Sequence, residues 1–247
     1  LRLKNEFGVN VPEFEAVPFA ALIHDFSGIK VTLEALVNEF LSGKKDLSET
    51  SKLIRTVLAT VTARDQTTSE IAGRLQSAGY RKVSFRTSAE LEDGAVDSYA
   101  GQYQSFLDID LSPQSLSENA VKCFSSLVGE TVINYARERG VRKFVIGGSV
   151  VVQQMFYGKA SGVLFTENGS GQLQLAFNSS WQNTVVEGED AEEVLVNRWN
   201  LSEQKLSPEI RALCVSALEI DARIGRPLDI EWAYDSNGVA FLQFRPI

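Results

Sequence analysis

The stretch Leu228-Asp229-Ile230-Glu231-Trp232-Ala233-Tyr234, a turn around Asp235-Ser236-Asn237-Gly238, and Val239-Ala240-Phe241-Leu242-Gln243-Phe244-Arg245 reads as a β-hairpin. In both runs the even positions Ile230, Trp232, Leu242 and Phe244 are apolar, while the odd positions Asp229, Glu231, Gln243 and Arg245 are polar or charged. That period of two puts one side on a core and collects the polar set on the other. The polar residues share a face only if partner numbers add to an even total, as for Glu231 opposite Gln243. The expected loop is therefore odd, five residues from 235 to 239. Carboxylate and amide oxygens suit magnesium, and a guanidinium beside them can clamp a phosphoryl group. A solvated hairpin face with a surface ion pair would show the same pattern.

Working outward, Ser207, Pro208 and Glu209 form a helix start, and Gly225 lies just beyond its end. Upstream, the β-prone runs 149–155, 161–166 and 172–177 are separated by glycine-containing turns and suggest an antiparallel meander. Leu116 to Arg139 has apolar residues at helical spacing, with Gly140 as its stop. Lys82-Val83-Ser84-Phe85-Arg86 reads as a strand followed by an acidic, turn-rich loop, and the region before it as mainly helical, including Val9 to Pro12. No regular strand–helix alternation runs through the chain. The expected class is α+β in two lobes, 1–145 and 146–247.

The 247 residues are 44% hydrophobic and 23% charged, with a net charge of -8. This acidic balance argues against a general nucleic-acid binder, which needs clustered Lys and Arg. No apolar run approaches the roughly 20 residues that span a bilayer, so no membrane role is expected and the cytoplasm is the expected compartment. Cys123 and Cys214 are too few and too far apart for a disulfide framework or zinc site, and the single histidine, His24, reads as structural. The chain begins without Met and ends at Phe244-Arg245-Pro246-Ile247, which reads as a piece of something longer.

Arg86 ends a strand and is followed by Thr87-Ser88-Ala89, with small residues around Gly101 downstream. An arginine with backbone amides at such a turn can hold polyphosphate oxygens, although Arg86 alone also reads as a structural or surface arginine. Val150-Val151-Val152-Gln153-Gln154-Met155 alone reads as a core strand with polar exit residues. Neither a G-x-x-x-x-G-K-[ST] loop nor a dinucleotide fingerprint is present.

Taken in order, Arg86-Thr87-Ser88-Ala89 with Ser98-Tyr99-Ala100-Gly101-Gln102, then Val152-Gln153-Gln154-Met155 with Ser161-Gly162-Val163-Leu164-Phe165-Thr166, then Asp229-Ile230-Glu231-Trp232-Ala233 with Leu242-Gln243-Phe244-Arg245-Pro246-Ile247, resemble three motifs of one family. It is the pyruvate phosphate dikinase and phosphoenolpyruvate synthase group, which includes rifampicin phosphotransferases. The resemblance covers almost the whole chain and implies the ATP-grasp fold, with antiparallel sheets, flanking helices and ATP between two lobes. It further implies Arg86, the backbone near Gly101 and Ser105 at the phosphates, Gln153 and Met155 on the adenine side, Glu231 and Gln243 on Mg2+, and Arg245 at the terminal phosphate. The implied acceptor is a phosphohistidine-carrying domain that swivels separately, and His24 is not in that context.

The match departs from the family in three places. The family's G-G-K-x-x-x-L motif precedes the segment with which this chain begins. Its G-L-G-E segment is replaced by Gln182-Asn183-Thr184-Val185-Val186, and its Tyr-Arg near the end of the long helix by Tyr135-Ala136. A phosphotransferase module and a degenerate binding or regulatory module are both compatible with these residues.

Overall fold

In the computed structural model, which describes residues 6–90, 102–178 and 191–247, the chain divides into two units. One is Glu13–Met155; the other joins Leu1–Pro12 to Phe156–Ile247. Each combines antiparallel strands with helices, the α+β class expected.

In the first unit, β1 (Phe14–Pro18) leads through α1 (Phe19–Leu22), α2 (Phe26–Leu41), α3 (Leu47–Leu58) and α4 (Asp65–Ser77) to β2 (Lys82–Ala89). Then follow β3 (Ser105–Asp110), α5 (Pro113–Ser126), α6 (Glu130–Glu138) and β4 (Gly148–Gln154), and the sheet order is β1-β4-β2-β3. Two helix starts follow from local chemistry: Asp46 accepts from the Glu49 N–H at 2.8 Å, and Ser112 from the Ser115 N–H at 3.1 Å. Val83, Phe85, Val150 and Val152 alternate onto one sheet face and are buried with Phe19, Leu33, Phe40 and Phe124.

Several expectations are corrected here. The single helix expected from Leu116 to Arg139 is two helices, because Gly129 takes an extended conformation and becomes the N-cap of α6. That break lets Cys123 and Phe124 on one helix and Val132 and Ile133 on the next all reach the core. Strand β4 pairs with β1 and β2 rather than opening a meander with the strands that follow. With β4 in the first sheet, the division falls after Met155, where the sequence places it after 145. Val9 to Pro12 is not helical; the Asn10 carbonyl accepts from the Phe241 N–H at 2.8 Å, and Val9 and Val11 pack on the second unit's core.

The second unit holds β5 (Ala160–Phe165), β6 (Gln172–Asn178), β7 (Glu192–Asn197), α7 (Pro208–Ile224), β8 (Leu228–Asp235) and β9 (Gly238–Pro246). Its sheet order is β7-β6-β5-β8-β9. Helix α7 starts and stops as its sequence dictates: Ser207 Oγ accepts from the Ile210 N–H at 3.3 Å, and Gly225 closes the helix at φ 73°. Leu213, Cys214, Ala217 and Ile220 of α7 form a core with Leu164, Leu175, Ile230, Trp232 and Phe241 of the sheet.

The last hairpin reaches its expected pairing by a different route. Asp229 lies opposite Arg245 and Glu231 opposite Gln243, but Tyr234 already pairs with Val239 and Asp235 with Gly238. The five-residue loop is thus replaced by the two residues Ser236 and Asn237. A bulge between Glu231 and Trp232 leaves Leu242 as the extra residue of β9, and that single insertion changes the parity of the register.

Candidate functional site

The first unit's sheet has a polar face opposite its core face. Alternation places Ser84, Arg86 and Ser88 of β2 on it, together with Ser149, Val151 and Gln153 of β4. Arg86 lies directly opposite Ser105 of β3 on one side and Val151 on the other, so the structure brings Arg86 and Ser105 together. Gln153 sits one pair further along, opposite Ser84, and is 4% exposed. Met155 follows the end of β4; its backbone N–H donates to the Lys82 carbonyl at 3.2 Å, and its Sδ accepts from the Asp108 N–H at 3.4 Å. Asp108 occupies the irregularity between β2 and β3 with φ 59°, and Lys82 Nζ reaches its carboxylate at 3.3 Å and that of Asp110 at 3.1 Å. These carboxylates, Asp110 first, raise the Lys82 pKa. Gly101 and the segment 182–186 lie outside the described residues.

The sequence signal missed on this face is the period-two run Ser84, Arg86, Ser88. It places a serine on either side of Arg86 along the same strand face, and Ser88 pairs directly with Ser149. Just before β4, helix α2 holds the incoming backbone: Asn38 Oδ1 accepts from the Phe144 N–H at 2.8 Å and Glu34 from the Ile146 N–H at 2.7 Å. No local pattern announces that contact, because it spans more than a hundred residues of chain.

In the second unit the polar face of the sheet carries two successive cross-strand pairs, Asp229 with Arg245 and Glu231 with Gln243. The next strand sets Phe165 beside Asp229 and Val163 beside Glu231, an apolar flank on the same face. Glu231 and Gln243 are half-buried. Arg245 donates from Nε at 2.8 Å and from Nη2 at 2.6 Å, both to Oδ2 of Asp229, which is only 8% exposed. The ion pair expected of a plain surface hairpin is therefore present, but its carboxylate is buried.

These pairs supply the two kinds of group that a charged phosphate ester needs: hard oxygens for a cation and a fixed guanidinium for the phosphoryl oxygens. Among the described residues no group of three or more His, Cys, Asp or Glu side chains gathers to hold a metal. One carboxylate and one amide, completed by phosphate oxygens and water, is a donor set that magnesium accepts.

An α+β chain with such faces and the three ordered motifs has the character of a nucleotide-binding module. Residues 1–204 match the model of the pyruvate phosphate dikinase AMP/ATP-binding domain, and the chain belongs to that family. It is 28% identical to a probable phosphoenolpyruvate synthase of Methanocaldococcus jannaschii, over 67% of this chain and 17% of that protein. It is 25% identical to a rifampicin phosphotransferase of Bacillus cereus, over 99% of this chain and 33% of that protein. With the phosphoenolpyruvate synthase of Pyrococcus furiosus it shares 26% identity over 82% of this chain and 31% of the relative. The chain thus spans a third or less of the length of these relatives. No described helix is long and apolar enough to cross a membrane.

Proposed function

We propose that this chain is the ATP-binding part of a phosphotransferase with the ATP-grasp fold, and that it delivers a phosphoryl or pyrophosphoryl group from Mg-ATP to a histidine on a separate, swivelling domain. The observation that carries this reading is the alignment of Asp229–Arg245 and Glu231–Gln243 on one sheet face, in a chain of the AMP/ATP-binding family. Arg86, Ser105 and the backbone near Gly101 hold the phosphates. Gln153 and Met155 line the adenine side. Glu231 and Gln243 hold magnesium, which when bound neutralises charge on the phosphates. Arg245 contacts the terminal phosphate.

In that arrangement the protein does little covalent chemistry. Arg86 and Arg245 fix the phosphate chain and offset the charge that spreads over the group in flight, which is how phosphoryl transfer gains most of its rate. Transfer onward to pyruvate or another small acceptor belongs to the rest of the parent protein, and the cytoplasm is the compartment proposed for it.

Isothermal calorimetry tests the binding claim: with magnesium present, ATP should bind to a protein extended at its N-terminus to include the family's lysine motif, and an absence of heat rejects the claim. For the transfer claim, Glu231→Ala and Arg245→Ala in the complete parent protein should abolish incorporation of labelled phosphate. Unchanged labelling rejects the assignment. The replacement of the glycine-rich segment by Gln182 to Val186 favours a second reading, a module that binds the nucleotide without turnover. Binding by calorimetry with no labelling of the unaltered parent would select it.

A further inference from the structure

Arg245 is held in a particular way. A guanidinium has five N–H donors. Two of them, on Nε and Nη2, go to the single oxygen Oδ2 of Asp229, along the side of the guanidinium. The end-on edge, with one N–H from each Nη, is left over, and among the described residues Arg245 has no other partner. The Asp229 side chain is 11% exposed and that of Arg245 33%, so the carboxylate is the buried anchor and the arginine the outward group. Leu228 and Ile230 on either side of Asp229 are fully buried, which fixes the strand from which the carboxylate projects.

We infer that Asp229 is a positioning residue: it locks Arg245 side-on and presents the guanidinium's end-on fork to a phosphoryl group, and its carboxylate is committed to the arginine instead of serving as a cation ligand. This rests on the nucleotide-binding reading above and divides the labour of the face. The pair Glu231–Gln243 takes the cation, and the pair Asp229–Arg245 takes the phosphate. Arginine paired with a carboxylate gives up part of its attraction for an anion, but its side chain no longer has to be ordered when the nucleotide arrives.

The test compares the unaltered protein, Asp229→Asn, Arg245→Met and the double variant in the full chain. ATP is titrated at saturating magnesium, and magnesium is titrated at one ATP concentration high enough to saturate every variant that binds, so that a change in ATP affinity alone does not move the magnesium midpoint. Asp229→Asn should weaken ATP binding about ten-fold, the scale of one charge-assisted hydrogen bond. It should leave the magnesium half-saturation point unchanged and cost nothing further once Arg245 is Met. A shifted magnesium midpoint in Asp229→Asn, or an equal loss in both backgrounds, overturns the inference. Melting supplies an independent readout should Asp229→Asn alone fail to fold. Arg245→Met strands a buried carboxylate and lowers Tm, and adding Asp229→Asn should recover most of the loss. No recovery overturns the inference. Failure of the unaltered protein to bind ATP overturns the functional reading instead, and the melting series still decides whether Asp229 holds Arg245.

Discussion

Gly162→Ala is expected to be among the most damaging single-methyl additions in the chain. Gly162 is in the middle of β5, opposite Phe177 on β6 and Trp232 on β8. A Cβ there would collide with the Ala176 carbonyl oxygen and come within 2.6 Å of the Phe177 Cβ and 2.8 Å of the Phe177 Cα. Carbon contacts settle at about 3.5–4.0 Å, so the intrusion is on the order of 1 Å. Most of the obstructing atoms are backbone or Cβ and cannot rotate away. Strands β5 and β6 must part, and ladder bonds stretch toward the limit of useful geometry. We expect a loss of about 3 kcal/mol, the upper end of the overpacking range. Because β5 also sets Val163 beside Glu231, ATP affinity should fall with it. The assay is urea unfolding combined with amide exchange over 160–165 and 172–178, since two units can unfold in separate steps. Gly73→Ala serves as the control. It lies exposed within α4, a Cβ there meets nothing within 4 Å, and the change should stabilise by about 0.5–1 kcal/mol. A loss below about 1 kcal/mol for Gly162→Ala, with unchanged amide protection, refutes the reasoning.

Two further predictions concern pH. Burial raises the Cys123 and Cys214 thiols from 9.0 to about 11 each. A group whose folded pKa is raised contributes stability that is complete below its unfolded value, so that contribution is lost as pH climbs from about 9 to 11. The loss is on the order of 2–3 kcal/mol per thiol. Urea midpoints from pH 8 to 11 should fall, and both thiols should resist a disulfide reagent until the protein unfolds; rapid labelling of the native protein contradicts this. Glu167 behaves in the opposite sense: the Gly171 N–H first, then Arg198 and the Gly169 N–H, pull its pKa below 4.5. Its contribution is present above that value and is lost as pH falls through the lowered one. Glu167→Gln should flatten the acid limb of the stability curve below about pH 4.5, and a limb of unchanged slope counts against the assignment.

What the sequence made legible was local. The start of α7 at Ser207 and Pro208 and its stop at Gly225 follow from the chemistry of a few adjacent residues, and the structure has both. The polar face of Asp229, Glu231, Gln243 and Arg245 was legible because a strand's period of two admits few alternatives. Pairing between distant segments was not. Nothing in Ser149 to Met155 indicates that this strand leaves its sequence neighbours for β1 and β2; consecutive strands pair often but by no means always. Likewise, Gly129 inside a run of helical spacing does not reveal whether the helix passes through it or turns there. At the site, the serines around Arg86 could have been found from alternation alone, whereas the Asn38 and Glu34 contacts could not.

The hairpin shows why the right pairing followed from the wrong loop. With a two-residue turn at Ser236 and Asn237 and no bulge, Glu231 would lie opposite Leu242 and Asp229 opposite Phe244, setting each carboxylate against an apolar partner. Alternation of residue types excludes that register but not the means of avoiding it: an odd loop and a tight turn followed by a bulge leave the same sequence pattern. The Asp235-Ser236-Asn237-Gly238 segment favoured the tight turn, since Asx side chains bond the backbone two residues ahead, as Asp235 does to the Asn237 N–H at 2.7 Å. A tight turn fixes the tip of the hairpin and leaves the correction to be made further down the strand. The structure makes it between Trp232 and Glu231, immediately before the first of the two polar pairs. Bulges raise local twist and re-aim the side chains beside them. Leu242 therefore lets the buried pair Trp232–Phe241 and the polar pair Glu231–Gln243 follow one another on opposite faces of the same ladder, with Asp229 and Arg245 in register beyond them.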